Sequence, residues 1–249
     1  MQKLSQIFEQ LTQGELSQVS MGGGEIGAIQ EPHYRAIGNH VMLGLTALYK
    51  RFDLKRGQLV VELQSTRTTY PLHSKYAVMG VNSKEPVRYI KDTVDDPFRD
   101  DLLKILTITG DSGDAFNLND YTDHFSIVTP TLESIRVPID VVNPGTELAK
   151  EYRTANLVID YQANHPTFVP KVGFYDPQLT TIELPASHTQ ALLYFVASRV
   201  HNPIGMGQEF NAGNNWAQRY ELECQRLEGE GGEIDSLAGN TRAERGGWC

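Results

Sequence analysis

Cysteine, cationic charge and long apolar runs are all scarce in this 249-residue chain. Two cysteines, Cys224 and Cys249, cannot make a disulfide scaffold, which fits a reducing cytosol or simply little use for sulfur. Apolar stretches such as Ala191–Phe195 run to a few residues, far below the ~20 needed to cross a bilayer. The first residues, Met1-Gln2-Lys3-Leu4-Ser5-Gln6, lack the apolar core of a signal peptide, so neither a membrane partner nor secretion is expected. Lys+Arg number 22 against 31 Asp+Glu, a net charge of −9 and the wrong sign for a surface that grips a phosphate backbone.

Motifs for chemistry are missing as well. The seven histidines (33, 40, 73, 124, 165, 188 and 201) show neither H-x-x-x-H nor H-E-x-x-H spacing, and the cysteines are far apart, so no metal site is expected. His33 and His40 share a helical face but lie two turns apart, too far for joint ligation. Gly22-Gly23-Gly24 lacks the Gly-Lys-Ser/Thr of a phosphate loop and follows no buried strand. Gly-x-Ser-x-Gly is absent, and Ser187-His188 reads as a helix start rather than a nucleophile with its base. No catalytic residue, cofactor or metal is expected.

What is present is a change of texture along the chain. Leu4, Ile7, Phe8 and Leu11 fall at i, i+3, i+4 and i+7, a short amphipathic helix over 4–13. A second helix, 32–54, starts at Glu31-Pro32 and continues through Tyr34, Ile37, Val41, Leu45, Leu48 and Phe52. From Gln58 onward come short β-branched or aromatic runs, each closed by turn residues: 59–63, 105–109, 125–128, 135–139 and 156–161. They predict an antiparallel β-domain, with Asp95–Leu103 a short helix or a loop and Pro138 on an edge strand or a bulge. Helices return over 185–201, opened by Pro185 and stopped at Asn202-Pro203, and over 210–228, where Trp216, Tyr220, Cys224 and Leu227 are spaced by four, four and three. The expected fold is therefore α+β: a small four-helix bundle from residues 1–56 and 183–228, an inserted antiparallel β-domain over 57–182, and an extended C-terminal arm over 229–249. Six of the arm's 21 residues are glycine, yet it ends in Trp248, so it reads either as an arm seeking a partner or as a frayed terminus.

Nine aspartates (92, 95, 96, 100, 101, 111, 114, 120 and 123) crowd the segment 91–123. Asp111-Ser112-Gly113-Asp114 hints at a calcium loop but lacks the D-x-D-x-D-G register and the distal Glu; a solvated acidic loop explains it as well. Asp95/Asp96 and Asp100/Asp101 would serve a hydrolase only inside a converging cleft. Tyr70, Tyr76 and Tyr89 are the aromatics available to a carbohydrate-binding sheet face, or else core packing.

Thr181-Ile182-Glu183-Leu184-Pro185-Ala186-Ser187-His188, with Ala191-Leu192 and Val196-Ala197 in the helix that follows and Asn211-Ala212-Gly213-Asn214-Asn215-Trp216-Ala217 to Tyr220 in the next, resembles the C-terminal helical hairpin of head-to-tail adaptor (connector) proteins of tailed bacteriophages. The run Asp101–Thr109 is similar to a strand of that family's inserted β-domain. The likeness extends over about residues 31–228 and is densest over 181–228. It implies a virion structural protein made in the host cytoplasm, a homo-oligomeric ring of about twelve copies between the portal protein and the tail nozzle or tube. DNA would pass through its negative lumen without sequence-specific binding. It also implies that the arm contacts the portal, with Ile234, the Leu237-Ala238 pair, Arg242, Arg245 and Trp248 as interface candidates. The aspartate-rich segment and the Gly246-Gly247-Trp248-Cys249 end depart from the family pattern. The alternative is a tail-associated binding module whose β-domain recognises carbohydrate or another virion protein.

Overall fold

The structure, a computed structural model, describes residues 2–17, 29, 31–80, 85–143, 154–168, 176–201 and 208–231. It is a mixed α+β chain with antiparallel sheets, and it divides into two compact units, residues 1–54 with 165–249 and residues 55–164.

The first unit begins with β1 (Gln2–Lys3), which runs straight into α1 (Leu4–Gln13). The helix buries Leu4, Ile7, Phe8 and Leu11, one stripe along its axis. Its leading amides find carbonyls of a distant turn: Leu4 N–H donates to Thr180 and Ser5 N–H to Pro177, both at 2.9 Å. β1 pairs antiparallel with β9 (Thr181–Ile182), so residues 165–182 belong to this unit and not to the central one. A 3₁₀ turn at Glu31–His33 leads into α2 (Tyr34–Arg51), which ends with Lys50 and Arg51 where cations suit the dipole. After Pro185, a second 3₁₀ turn, Ala186–His188, opens the helix Thr189–Val200. This helix buries Thr189, Ala191, Leu192, Leu193, Val196, Ala197 and Ser198, nearly its whole circumference, which makes it central to the unit. The last helix is Gln208–Gly229.

These two C-terminal helices run antiparallel. The Tyr194 ring stacks on Trp216 at 5.5 Å and Phe195 meets Tyr220 at 5.4 Å. Thr189–Val200 also packs on α2, whose Gly44 lets the backbones approach: a Cβ there would lie 2.7 Å from a Leu192 methyl and 2.9 Å from the Phe195 ring. Near the other end of this contact Phe52 meets the buried His188 edge-on at 4.8 Å.

The second unit is built on a four-stranded antiparallel sheet of β2 (Arg56–Glu62), β4 (Ile90–Lys91), β5 (Leu102–Thr109) and β8 (Asn156–Ala163), in the order β4-β2-β8-β5. Its register sets Leu59 opposite Ile159 and Val61 opposite Leu157. A three-stranded sheet, β3 (Thr69–Pro71), β7 (Ser134–Arg136) and β6 (Val128–Thr131), contributes Tyr70 and Ile135 to the same apolar cluster. The helix α3 (Ile139–Val142) adds Val141.

One local expectation changes, and one left open between helix and loop takes its loop form. The run 135–139 does not continue as a strand through Pro138. β7 stops at Arg136, and the proline, at φ −56° and ψ 142°, opens α3. Asp95–Leu103 contains no helix; bends lead directly into β5. With α3 in place, the central helix Thr189–Val200 is α4 and Gln208–Gly229 is α5. Among the described residues, no helix is long and apolar enough to cross a membrane.

Candidate functional site

Of the aspartates singled out in the sequence, Asp92, Asp96 and Asp101 line one cleft, and most of the nine brace backbone. Asp111 accepts from Ala155 N–H at 2.7 Å, Asn156 N–H at 3.1 Å and Asn156 Nδ2 at 3.0 Å, tying the turn after β5 to the start of β8. The Asn156 side-chain bond, backed by those amides, lowers its carboxyl to about 2. Asp120 closes on Thr122 N–H and hydroxyl, which lowers its pKa. Asp123 accepts from Asn117 Nδ2 and Phe125 N–H. Asp92 takes Met79 N–H at 2.8 Å and Phe98 N–H at 3.1 Å. Asp100, in the left-handed region at φ 57°, receives Ser74 N–H and hydroxyl at 2.5 Å, while its neighbour Asp101 accepts from the Tyr161 hydroxyl at 3.1 Å. The Asp100/Asp101 pair is thus divided between two unrelated contacts. Among the described residues, no three His, Cys, Asp or Glu side chains come together to hold a metal ion.

The histidines are scattered too. His188 is 1% exposed; its Nδ1 meets Ser187 Oγ at 3.1 Å, while Nε2 has no partner among the described residues. Burial lowers its pKa, opposed by the Glu223 carboxylate. Burial, with Arg199 nearby, lowers His40 as well. His165 Nε2 accepts from Glu183 N–H at 3.0 Å, and His124 faces Asp140 at 2.8 Å.

Tyr70 and Tyr89 are fully buried and meet edge-on at 5.2 Å, and Tyr76 stacks on Tyr89 at 5.0 Å. Their hydroxyls serve backbone: Tyr70 donates to Arg67 O at 2.8 Å and Tyr89 to Pro71 O at 2.6 Å. Of the two readings of these rings, core packing is the one seen: Tyr70 and Tyr89 are buried in the β unit and the partly buried Tyr76 packs against them. The portal-interface candidates Ile234, Leu237-Ala238, Arg242, Arg245 and Trp248 lie outside the described residues.

Three features were not foreseen. In the helical unit, Arg51 at the end of α2 clamps α5. Its guanidinium reaches Glu221 through two bonds of 2.6 and 2.7 Å and Glu228 through one of 2.7 Å. These bonds raise the Arg51 pKa, and the bond from Arg51 lowers that of Glu221. The same unit carries an open groove of about 540 Å3, lined by Phe8, Tyr34, Glu9, Glu31 and Asp176 among others. In the β unit, a cleft of about 480 Å3 lies beside β2, lined by Lys55, Arg56, Lys91 and Arg99, by Asp92, Asp96 and Asp101, and by Phe98 and Tyr161. Burial raises the Tyr161 hydroxyl pKa, with Asp101 adding to it. The adjacent cations Lys55-Arg56 before Gly57 were the available signal for this cleft; the break in the sheet that creates it had none.

Comparison with protein-family models and with curated proteins gives no match for the chain.

Proposed function

We propose that the chain is a head-to-tail adaptor of a tailed bacteriophage, a structural protein that forms a ring between portal and tail nozzle or tube and surrounds the DNA path. The reading rests on the α4–α5 hairpin. A short strand, β9, leads through Leu184-Pro185 into α4, and α5 returns against it through Tyr194–Trp216 and Phe195–Tyr220. That arrangement follows the pattern on which the resemblance was drawn. In this reading α1, α2, α4 and α5 form a four-helix body from the two chain ends, and the β unit is an insertion in it. Asp111 and Asp92 hold backbone amides and Asp101 accepts from the Tyr161 hydroxyl, contacts that support a bracing role for these three carboxylates. A charge of −9 per copy, repeated around a ring, repels the DNA backbone and leaves it free to slide. Arg242, Arg245 and Trp248, at the tip of a glycine-rich segment, supply two cations and an aromatic anchor for the portal.

Deleting residues 232–249 tests the arm. Portal binding measured by co-sedimentation is expected to be lost while the helix content stays unchanged by circular dichroism. Undiminished binding would refute the arm's role.

A further inference from the structure

Two strand edges of the β unit border one groove. β5 closes one side of the four-stranded sheet, and β6 closes one side of the three-stranded sheet. Residues 115–119 run between them. Phe116 N–H donates to Ile108 O at 2.8 Å; farther on, Ile127 N–H donates to Asn117 O at 2.9 Å and Asn119 N–H to Ile127 O at 3.0 Å. Asn119 then turns the chain out at φ 56°, and Asp120 N–H donates to Ser126 Oγ at 2.9 Å. Among the described residues, no strand continues that line past Asn119. The space is a groove of about 420 Å3, with Lys104 and Ile105 of β5 on one side, Pro130 and Leu132 on the other, and Leu118 at its end. A strand edge beside such a groove is a template for an added strand.

The walls define what the groove accepts. Pro130 has no N–H to offer, so β5 is the side that can extend a ladder. Lys104 and Ile105 pair with Gln162 and Tyr161 between two register shifts of β5, which confines a new partner to a short strand. Ile105 and Leu118 are half-buried at the margin of the apolar core, and Leu132 is 71% exposed. Among the described residues, the exposed Lys104 has no ion-pair partner and no acid lines the groove. A fitting strand is therefore short, sets apolar or small side chains inward beside Ile105 and Leu118, and carries an acid outward for Lys104. Glu233-Ile234-Asp235-Ser236-Leu237-Ala238, outside the described residues, has that pattern. A period of two sets Ile234, Ser236 and Ala238 on one face and Glu233, Asp235 and Leu237 on the other. No cation falls between Glu228 and Arg242.

We infer that this groove is an interchain docking site, filled by residues 233–238 of a second copy added as a strand along β5. Ile234 packs beside Ile105 and Leu118, Glu233 and Asp235 flank Lys104, and Leu237 covers Leu132. The choice of a second copy rests on the ring of the adaptor reading, in which one surface of each copy meets a different surface of the next. The groove and the pattern it selects do not depend on that reading. Arg242, Arg245 and Trp248 lie beyond the added strand and stay available to the portal.

The test is disulfide trapping in the full chain carrying Cys249→Ser, Leu132→Cys and Leu237→Cys, with Cys224 left in its buried position. ¹⁴N- and ¹⁵N-labelled copies are mixed, oxidised over a range of protein concentrations, digested and weighed. Linked peptides of hybrid isotope mass joining positions 132 and 237, increasing with concentration, are expected. Adding Lys104→Glu should lower their yield several-fold, and Glu233→Lys with Asp235→Lys should restore it, which separates charge pairing from misfolding. A 132–237 link confined to single copies would overturn the second-copy assignment. Links from 132 to 132 in place of 132 to 237 would overturn residues 233–238 as the occupant. No link, or a yield indifferent to the charge at 104, would overturn the docking site itself, whereas the adaptor reading falls only if no ring forms on the portal.

Discussion

Replacing Gly57 by alanine should destabilise the β unit, although alanine is ordinarily the better strand residue by roughly 0.5–1 kcal/mol. Gly57 sits opposite Tyr161 in the β2–β8 ladder, and the tyrosine ring lies in the space a side chain would take. A Cβ at 57 would be 2.4 Å from the ring carbon that bears the hydroxyl and 2.6 Å from its oxygen. The ring is fixed on its other sides: Tyr161 is 5% exposed, meets Phe98 edge-on at 6.2 Å and donates to Asp101 at 3.1 Å. Overpacking of this kind costs about 1–3 kcal/mol. A lost hydrogen bond to a carboxylate costs ~1.5–3 kcal/mol. Even the lower figures outweigh the strand preference, so Gly57→Ala should cost roughly 2–4 kcal/mol. The assay is urea unfolding of the wild type, Gly57→Ala, Tyr161→Ala and the double variant. Tyr161→Ala alone should cost ~3–5 kcal/mol, and with the ring gone Gly57→Ala should be neutral or stabilising, a coupling of about 2 kcal/mol or more. A neutral Gly57→Ala in the wild-type background, or the same cost in both backgrounds, would refute the reasoning.

Two further outcomes follow from the helical unit. Arg51→Leu removes the bonds to Glu221 and Glu228; since all three side chains are partly solvent-exposed, the loss should be about 1 kcal/mol, shrinking at high salt. An unchanged urea midpoint would mean that the buried Cys224 and Leu227 hold α5 on their own. His188 is kept neutral by burial, with its folded pKa below 6.5, so the unfolded chain binds more protons on acidification. Stability should fall as pH drops from about 6.5 towards the lowered folded value, and His188→Leu should flatten that slope between pH 7 and pH 5 when Tm is followed by circular dichroism. An identical slope in the variant would contradict this.

Periodicity was enough wherever an element packs with its own regular face. The stripe Leu4, Ile7, Phe8 and Leu11 marked α1, Pro32 and Pro185 marked the starts of helical segments, and the β-branched runs marked β2, β5 and β8. Elements that depend on a distant partner left no such mark. β1 and β9 have two residues each and exist because they pair across most of the chain, which draws residues 165–182 out of the β unit. Pro138 fits a bulge or a first helical turn equally well by local rules, and the packing of Val141 into the core decides for the helix. At the candidate sites, composition showed that aspartates crowd 91–123 but not that their oxygens are occupied by Met79, Phe98, Ala155 and Asn156 amides. The cleft beside β2 arises from the early end of β4 at Asp92, a consequence of two backbone contacts that no residue pattern encodes.

The proposed place of the chain between portal and tail is tested most directly by electron microscopy of the purified protein with and without a portal ring. A closed ring of this chain seated on the portal, with its channel continuous with the portal channel, is the expected image. Copies that remain separate from the portal, or that attach to its outer wall and leave the channel mouth bare, would contradict it.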